Sequence, residues 1–201
     1  MAITAGQVKE LRDLTGAGFM ECKAALTEAS GNVKDATTIL RTRGLAQAAK
    51  RSGRTTSQGL VDSYIHIGSQ VGVLVELNCE SDFVARTDDF LKLIKEVAMH
   101  IAAANPLYVR REDISDEDIE REKSIYRAQV DGPSKPAPII EQIINGKLGR
   151  FYEQVVLLDQ PSIRDPSTTI GEMIAATVAK LGENITVSRF ARFKVGERTD
   201  P

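Results

Sequence analysis

The order of local patterns along the chain predicts an α+β fold: a small helical bundle, then a core in which helices accompany a small, mainly antiparallel sheet. Three observations carry this. Thr4 to Lys50 holds apolar residues at a period of 3.6 in three successive stretches. β-Branched residues concentrate in Leu60 to Ile67 and Val71 to Leu77, with only Gly68-Ser69-Gln70 between them, the mark of a hairpin. Helical and strand patterns then follow in blocks rather than in strict alternation.

Thr4-x-x-Gln7 is a capping box, in which a hydroxyl and an amide satisfy the first free backbone N–H groups of a helix. Val8, Leu11 and Leu14 form its apolar stripe, and Thr15-Gly16-Ala17-Gly18 breaks it. A second stripe runs through Phe19, Cys22, Ala25, Leu26 and Ala29 and ends at Ser30-Gly31, a helix-stop pair. Asn32 opens a third, with Val33, Ala36, Ile39 and Leu40 inward and the Ala-rich Leu45 to Ala49 continuing it. Lys50 to Ser57 is polar, basic and without period, so the linker is placed there, with an N-terminal module at 1–52 and a core at 53–201. In the core, Val71, Val73, Val75 and Leu77 share one strand face. Asp88 to Ala104 returns to helical spacing with Leu91, Ile94, Ala98 and Ile101 inward, and Asn105-Pro106 stops it. Ser115-x-x-Asp118 opens a charged helix to about Val130, Asp131-Gly132-Pro133 turns the chain, and Pro138 starts a helix carrying Ile139, Ile140, Ile143 and Ile144. These make a helical arm or cover at about 107–150. Thr169-x-x-Glu172 is a further capping box for a helix through Ile170, Ile174, Val178 and Leu181, stopped by Gly182, and Asn184 to Val195 is a final strand.

A hydrophobic content of 42% supports a true core. The net charge of −2 gives no overall attraction to nucleic acid and favours a protein partner. Two cysteines, Cys22 and Cys79, stand far apart and outside any metal-ligand spacing, which fits a reduced cytosolic compartment. No stretch reaches the roughly 20 apolar residues of a membrane span, and Met1 to Thr4 lacks a targeting pattern.

An enzyme needs a nucleophile with a base, or carboxylates and histidines gathered on a metal, and neither pattern is present. His66 falls in a strand and His100 in a helix, without ligand spacing. There is no phosphate-cradling Gly-x-x-x-x-Gly-Lys loop, and Thr15 to Gly18 lies between helices rather than after a strand. Arg41, Arg43, Lys50, Arg51 and Arg54 are basic but have no interleaved aromatics to stack on bases. The run Arg110 to Lys123 mixes both signs and reads as a solvated face. Phe19 and Met20 are adjacent, so a narrow stripe leaves one of them exposed as a contact point, whereas a wide stripe buries both.

Asn78 to Arg86 is the most informative segment. A Ser-Asp pair and an aromatic follow directly on a strand that reads as buried. Two readings stand: Ser81 or Asp82 caps a turn while Phe83 folds back on the sheet, or Phe83 stands out beside a carboxylate as a tool for acting on a partner.

Val8 to Arg12, Thr15 to Leu26, Asn78 to Arg86, Ala98 to Ala103, Gln160-Pro161 and Leu181 to Ile185, in this order, resemble the elongation factor Ts family over nearly the whole chain. The resemblance implies a ubiquitin-associated-like N-terminal three-helix bundle and a core with a three-stranded antiparallel sheet. It is similar to the short form, with one core unit, which is associated with homodimers whose sheets pack together. The implied activity is guanine nucleotide exchange on elongation factor Tu in the cytoplasm, by protein contact and without bond chemistry, cofactor or metal. By the same resemblance, Arg12, Phe19, Met20, Lys23 and His100 bind the partner, and Ser81, Asp82, Phe83 and Val84 dislocate its magnesium. Ser81 stands where the family usually has Thr, Phe19 replaces a common Met, and Ala191 replaces a cysteine that links subunits in some short forms. The alternatives are a helical-bundle binding module without exchange activity, and an enzyme of unrecognised type.

Overall fold

The computed structural model describes residues 3–130 and 136–197, so the expected turn at Asp131-Gly132-Pro133 lies outside the described residues. The elements are α1 (Ala5–Thr15), α2 (Phe19–Glu28), α3 (Val33–Arg51), β1 (Gln58–Ile65), β2 (Val71–Cys79), α4 (Asp82–Ala85), α5 (Asp88–Ala104), α6 (Asp116–Val130), α7 (Ala137–Val155), α8 (Ile170–Leu181) and β3 (Ile185–Lys194). The three strands form one antiparallel sheet in the order β1-β2-β3. The predicted α+β class therefore holds, with helices first and a sheet-and-helix core after them.

Two compact units divide the chain. The first comprises the described residues of Met1–Asp62, Val75–Glu96 and Glu172–Ser188, the second those of Ser63–Leu74, Val97–Gly171 and Arg189–Pro201.

In the first unit α1, α2 and α3 pack around Val8, Leu11, Cys22, Ala25, Leu26 and Ala36. The capping box at Thr4 forms as expected: its hydroxyl oxygen accepts the Gln7 N–H at 3.3 Å, and the Gln7 side chain accepts the Thr4 N–H at 3.0 Å. Leu14 is 67% exposed, against the expected stripe. At 100° per residue it is rotated off the Val8–Leu11 face, and Thr15 takes the inward place instead, its hydroxyl donating to the Leu11 carbonyl at 2.7 Å. Leu45 is also exposed, while Gly44 is buried against Ala179 of α8, whose Cβ an added Cβ would meet at 3.6 Å, an ordinary contact distance. Lys180 of α8 pairs with Asp89 of α5 at 2.6 Å, and Arg41 of α3 with Glu172. Val75, Leu77 and Cys79 of β2, Ile185 and Val187 of β3, Phe90, Leu93 and Ile94 of α5, and Ile174 and Val178 of α8 are all buried.

β1 starts two residues earlier than its apolar run and ends two earlier. Gly59, at φ 145°, lets the backbone approach the Leu77 carbonyl so closely that a Cβ would lie 2.2 Å from its oxygen.

In the second unit the hairpin closes through the His66 N–H donating to the Val71 carbonyl at 2.9 Å, so His66 and Ile67 belong to the turn. Val97, Ala98, His100 and Ile101 are buried on α5. α6 buries no side chain, and α7, longer than the run from Pro138 suggested, buries Ile144 and Leu148. Lys147 of α7 lies over the Tyr126 ring of α6 at 5.5 Å and donates to Gln129 at 2.6 Å. Burial, with Glu122 beside it, raises the Tyr126 hydroxyl to about 12.

Candidate functional site

The segment after β2 is built by a division of labour among successive residues. Ser81, at φ −126° and ψ 156°, is the N-cap of α4, and its hydroxyl oxygen accepts the Val84 N–H at 3.4 Å. Val84 and Ala85 are buried and anchor the turn. Phe83, one position earlier, is thereby directed outward and is 80% exposed. Of the two readings of this segment, the structure has the cap and the outward ring together. Thr87 closes the turn, its hydroxyl donating to the Val84 carbonyl at 2.8 Å and accepting the Phe90 N–H at 3.3 Å, which starts α5.

Asp82 pairs with Arg86 one helical turn on, at 2.9 Å. Both side chains are well exposed, so the pair contributes at most about 1 kcal/mol and leaves Asp82 free to exchange partners. Ser81 is held further: its hydroxyl donates to Glu183 at 2.6 Å. The Cys79 thiol donates to the Ser81 carbonyl at 3.1 Å, and burial, reinforced by the Glu183 charge, raises its pKa. It is an inert thiol rather than a nucleophile.

A second exposed set belongs to the helix pair α1–α2. Gly16, left-handed at φ 67°, ends α1 with its N–H donating to the Arg12 carbonyl at 2.7 Å, and Gly18 caps α2. The short connection leaves Phe19 half exposed and Met20 69% exposed, while Cys22, Ala25 and Leu26 fill the interior. Arg12 and Lys23 are exposed as well. Both large apolar side chains thus face outward, not one, and Leu14, which the stripe assignment placed inward, is exposed as well; its angular offset on α1 was the available signal.

His100 is placed otherwise. It is 1% exposed, its Nδ1 accepting the Ile163 N–H at 3.4 Å while its Nε2 donates to Gln160 at 2.9 Å. Gln160 in turn donates to the Gln154 carbonyl at 2.8 Å. Burial lowers the His100 pKa, and the donor facing Nδ1 fixes the neutral tautomer. The surface contact expected of His100 gives way to a supporting position inside the second unit.

The basic cluster is largely committed to carboxylates: Arg41 to Glu172, Arg43 to Glu28 at 2.5 Å and Arg54 to Glu80 at 3.5 Å. Among the described residues no group of three or more His, Cys, Asp or Glu is arranged to hold a metal ion. Among them also, no helix is long and apolar enough to cross a membrane.

The family model described as elongation factor TS matches residues 4–197. The chain is 56% identical to elongation factor Ts of Koribacter versatilis over 197 residues, 98% of this chain and 90% of that one. It is 51% identical to elongation factor Ts of Solibacter usitatus, covering 97% and 92% of the two chains. Against elongation factor Ts of Caldanaerobacter subterraneus subsp. tengcongensis the identity is 53%, with 97% and 98% covered. A match of this extent shows that the chain belongs to the elongation factor Ts family of translation elongation factors.

Proposed function

We propose that this chain is a guanine nucleotide exchange factor that accelerates GDP release from elongation factor Tu, acting by contact alone in the cytoplasm, with no bond made or broken. The observation that carries this is Phe83: an aromatic ring left in solvent while its neighbours Val84 and Ala85 are buried. An exposed ring on an anchored turn is a rigid wedge. Arg12, Leu14, Phe19, Met20 and Lys23 dock the α1–α2 surface on the partner's nucleotide-binding domain. Phe83 then enters between partner helices near the bound magnesium, and Asp82 brings a negative charge to the same place. Magnesium neutralises the diphosphate, so disturbing its coordination loosens the nucleotide.

The wedge does not suffice alone. Moving a two-state population from 1:99 to 99:1 takes about 5.5 kcal/mol of differential binding, and burying one Phe supplies about 1.5–3 kcal/mol. Docking by anchors such as Phe19 and Met20 supplies the rest. By linkage, the factor holds nucleotide-free partner more tightly than the GDP complex, and nucleotide in turn expels the factor.

The second unit exposes Ile65, Ile67, Leu74, Phe193 and Val195 on and beside its strands, an apolar set that supports a homodimer formed through the sheet. Such a dimer holds without an intersubunit disulfide, since position 191 is alanine and both cysteines are buried. Light scattering should give twice the chain mass for the native protein and the chain mass for Phe193→Glu. Release of a fluorescent GDP analogue from purified elongation factor Tu, with and without this chain, tests the exchange activity. Complex formation with an unchanged release rate would instead establish a binding module.

A further inference from the structure

The segment Gly182 to Asn184 has no part in the docking and wedge assignments, yet it meets the base of the wedge directly. Gly182, left-handed at φ 80°, ends α8 and turns the chain into β3. Glu183 and Asn184 then form a reciprocal clasp with Glu80 and Ser81. The Glu183 carboxylate accepts both the Ser81 hydroxyl, at 2.6 Å, and the Ser81 backbone N–H, at 3.0 Å. The Glu80 carboxylate accepts the Asn184 backbone N–H at 2.6 Å. Asn184 is 4% exposed, and its side-chain amide donates to the carbonyls of Arg54, at 2.9 Å, and Ser52, at 3.3 Å, where the chain leaves α3. All these residues lie in the first unit.

α4 is too short to hold itself. One helical turn fixes several dihedrals for a single hydrogen bond and is unfavourable in isolation. The bonds at its start are long, Ala85 N–H to the Ser81 carbonyl at 3.4 Å, Arg86 N–H to the Phe83 carbonyl at 3.3 Å and the Ser81 cap at 3.4 Å, while the shorter ones, from the Thr87 N–H at 3.0 Å and the Thr87 hydroxyl at 2.8 Å to the Val84 carbonyl, hold its far end. The two charge-assisted bonds to Glu183, at 2.6 and 3.0 Å, fix the residue from which the turn departs. Resting on the exchange reading above, we propose that Glu183 is a positioning residue for nucleotide exchange: it holds Ser81 so that the Phe83 ring is presented in one orientation, and Asn184 ties that clasp to the end of the docking bundle. Glu183 touches neither partner nor nucleotide in this role.

The test uses the full chain. The sequence has no tryptophan, so Phe83→Trp places a single indole at the wedge, and its anisotropy decay reads local motion there. Adding Glu183→Gln, whose amide offers an oxygen to only one of the two Ser81 donors, should enlarge the fast-motion amplitude while thermal unfolding stays cooperative. With Phe83 in place, Glu183→Gln should lower the maximal rate of stimulated GDP release about tenfold and leave the half-saturating factor concentration within about twofold. Ser81→Ala, which removes the hydroxyl that Glu183 holds, should follow Glu183→Gln in both indole motion and maximal rate. Unchanged indole motion, or a raised half-saturating concentration at an unchanged maximal rate, would overturn the proposal. If Phe83→Ala itself exchanges at the native rate, the wedge reading and the exchange role of Glu183 fall together, and the indole's motion separates that failure from failure of the clasp.

Discussion

Acidification should weaken this fold through one imidazole. His100 is neutral in the folded state because its Nδ1 faces the Ile163 N–H, a donor, and because the ring is shut away from water. Protonation would set two donors against each other and bury a charge, so the folded pKa lies below the ordinary 6.5, with burial as the main cause. The unfolded chain therefore binds a proton that the folded chain refuses. Stability from this group is complete above pH 6.5 and is lost as pH falls from there toward the folded pKa, with a limiting slope of about 1.4 kcal/mol per pH unit. Between pH 7.5 and 5.5 the loss from His100 is bounded at about 1.4 kcal/mol. Urea unfolding at several pH values measures it, with His100→Gln as the reference that keeps a polar side chain but does not titrate in this range. The native protein should lose more stability than the variant below pH 6.5. Parallel curves for the two would refute the assignment of His100 as a buried neutral histidine.

Met20→Ala removes a side chain that is already in water, so folding stability should stay within about 0.5 kcal/mol of native. Half-saturation of stimulated GDP release should rise roughly tenfold or more, because the apolar surface that docking would bury is gone, and the maximal rate should change little. Gly59→Ala should cost about 3 kcal/mol or more in thermal or denaturant unfolding, since the added Cβ meets the Leu77 carbonyl and the backbone there adopts a conformation that side chains resist. A Gly59→Ala protein as stable as the native one would mean that β1 and β2 can move apart at that point.

Features encoded by near neighbours were legible in the sequence. Thr4 and Gln7 form the box that their spacing announces, and the helix Asp88 to Ala104 has the bounds its pattern gave. Departures arise where a distant residue decides. The β1 start depends on how closely Gly59 passes the Leu77 carbonyl, and the buried Gly44 depends on Ala179. Leu14 was misassigned because spacing by threes drifts off the face that Thr15 completes. For the candidate site, composition could say that Ser81 caps but not whether Phe83 folds back, since that turns on Val84 and Ala85 filling the interior. The Ser81–Glu183 bond joins residues 102 positions apart, and the His100–Gln160 bond spans 60, so neither leaves a periodic trace in one sequence.

The exchange role assigned to the exposed Phe83 ring is open to direct measurement. Stopped-flow release of a fluorescent GDP analogue from elongation factor Tu, at saturating factor, compares the native chain with Phe83→Ala and Phe83→Leu. The maximal rate should fall by roughly tenfold or more for alanine, with partial recovery for leucine, and half-saturation should stay nearly unchanged in both. A Phe83→Ala chain that releases GDP at the native maximal rate would contradict that role.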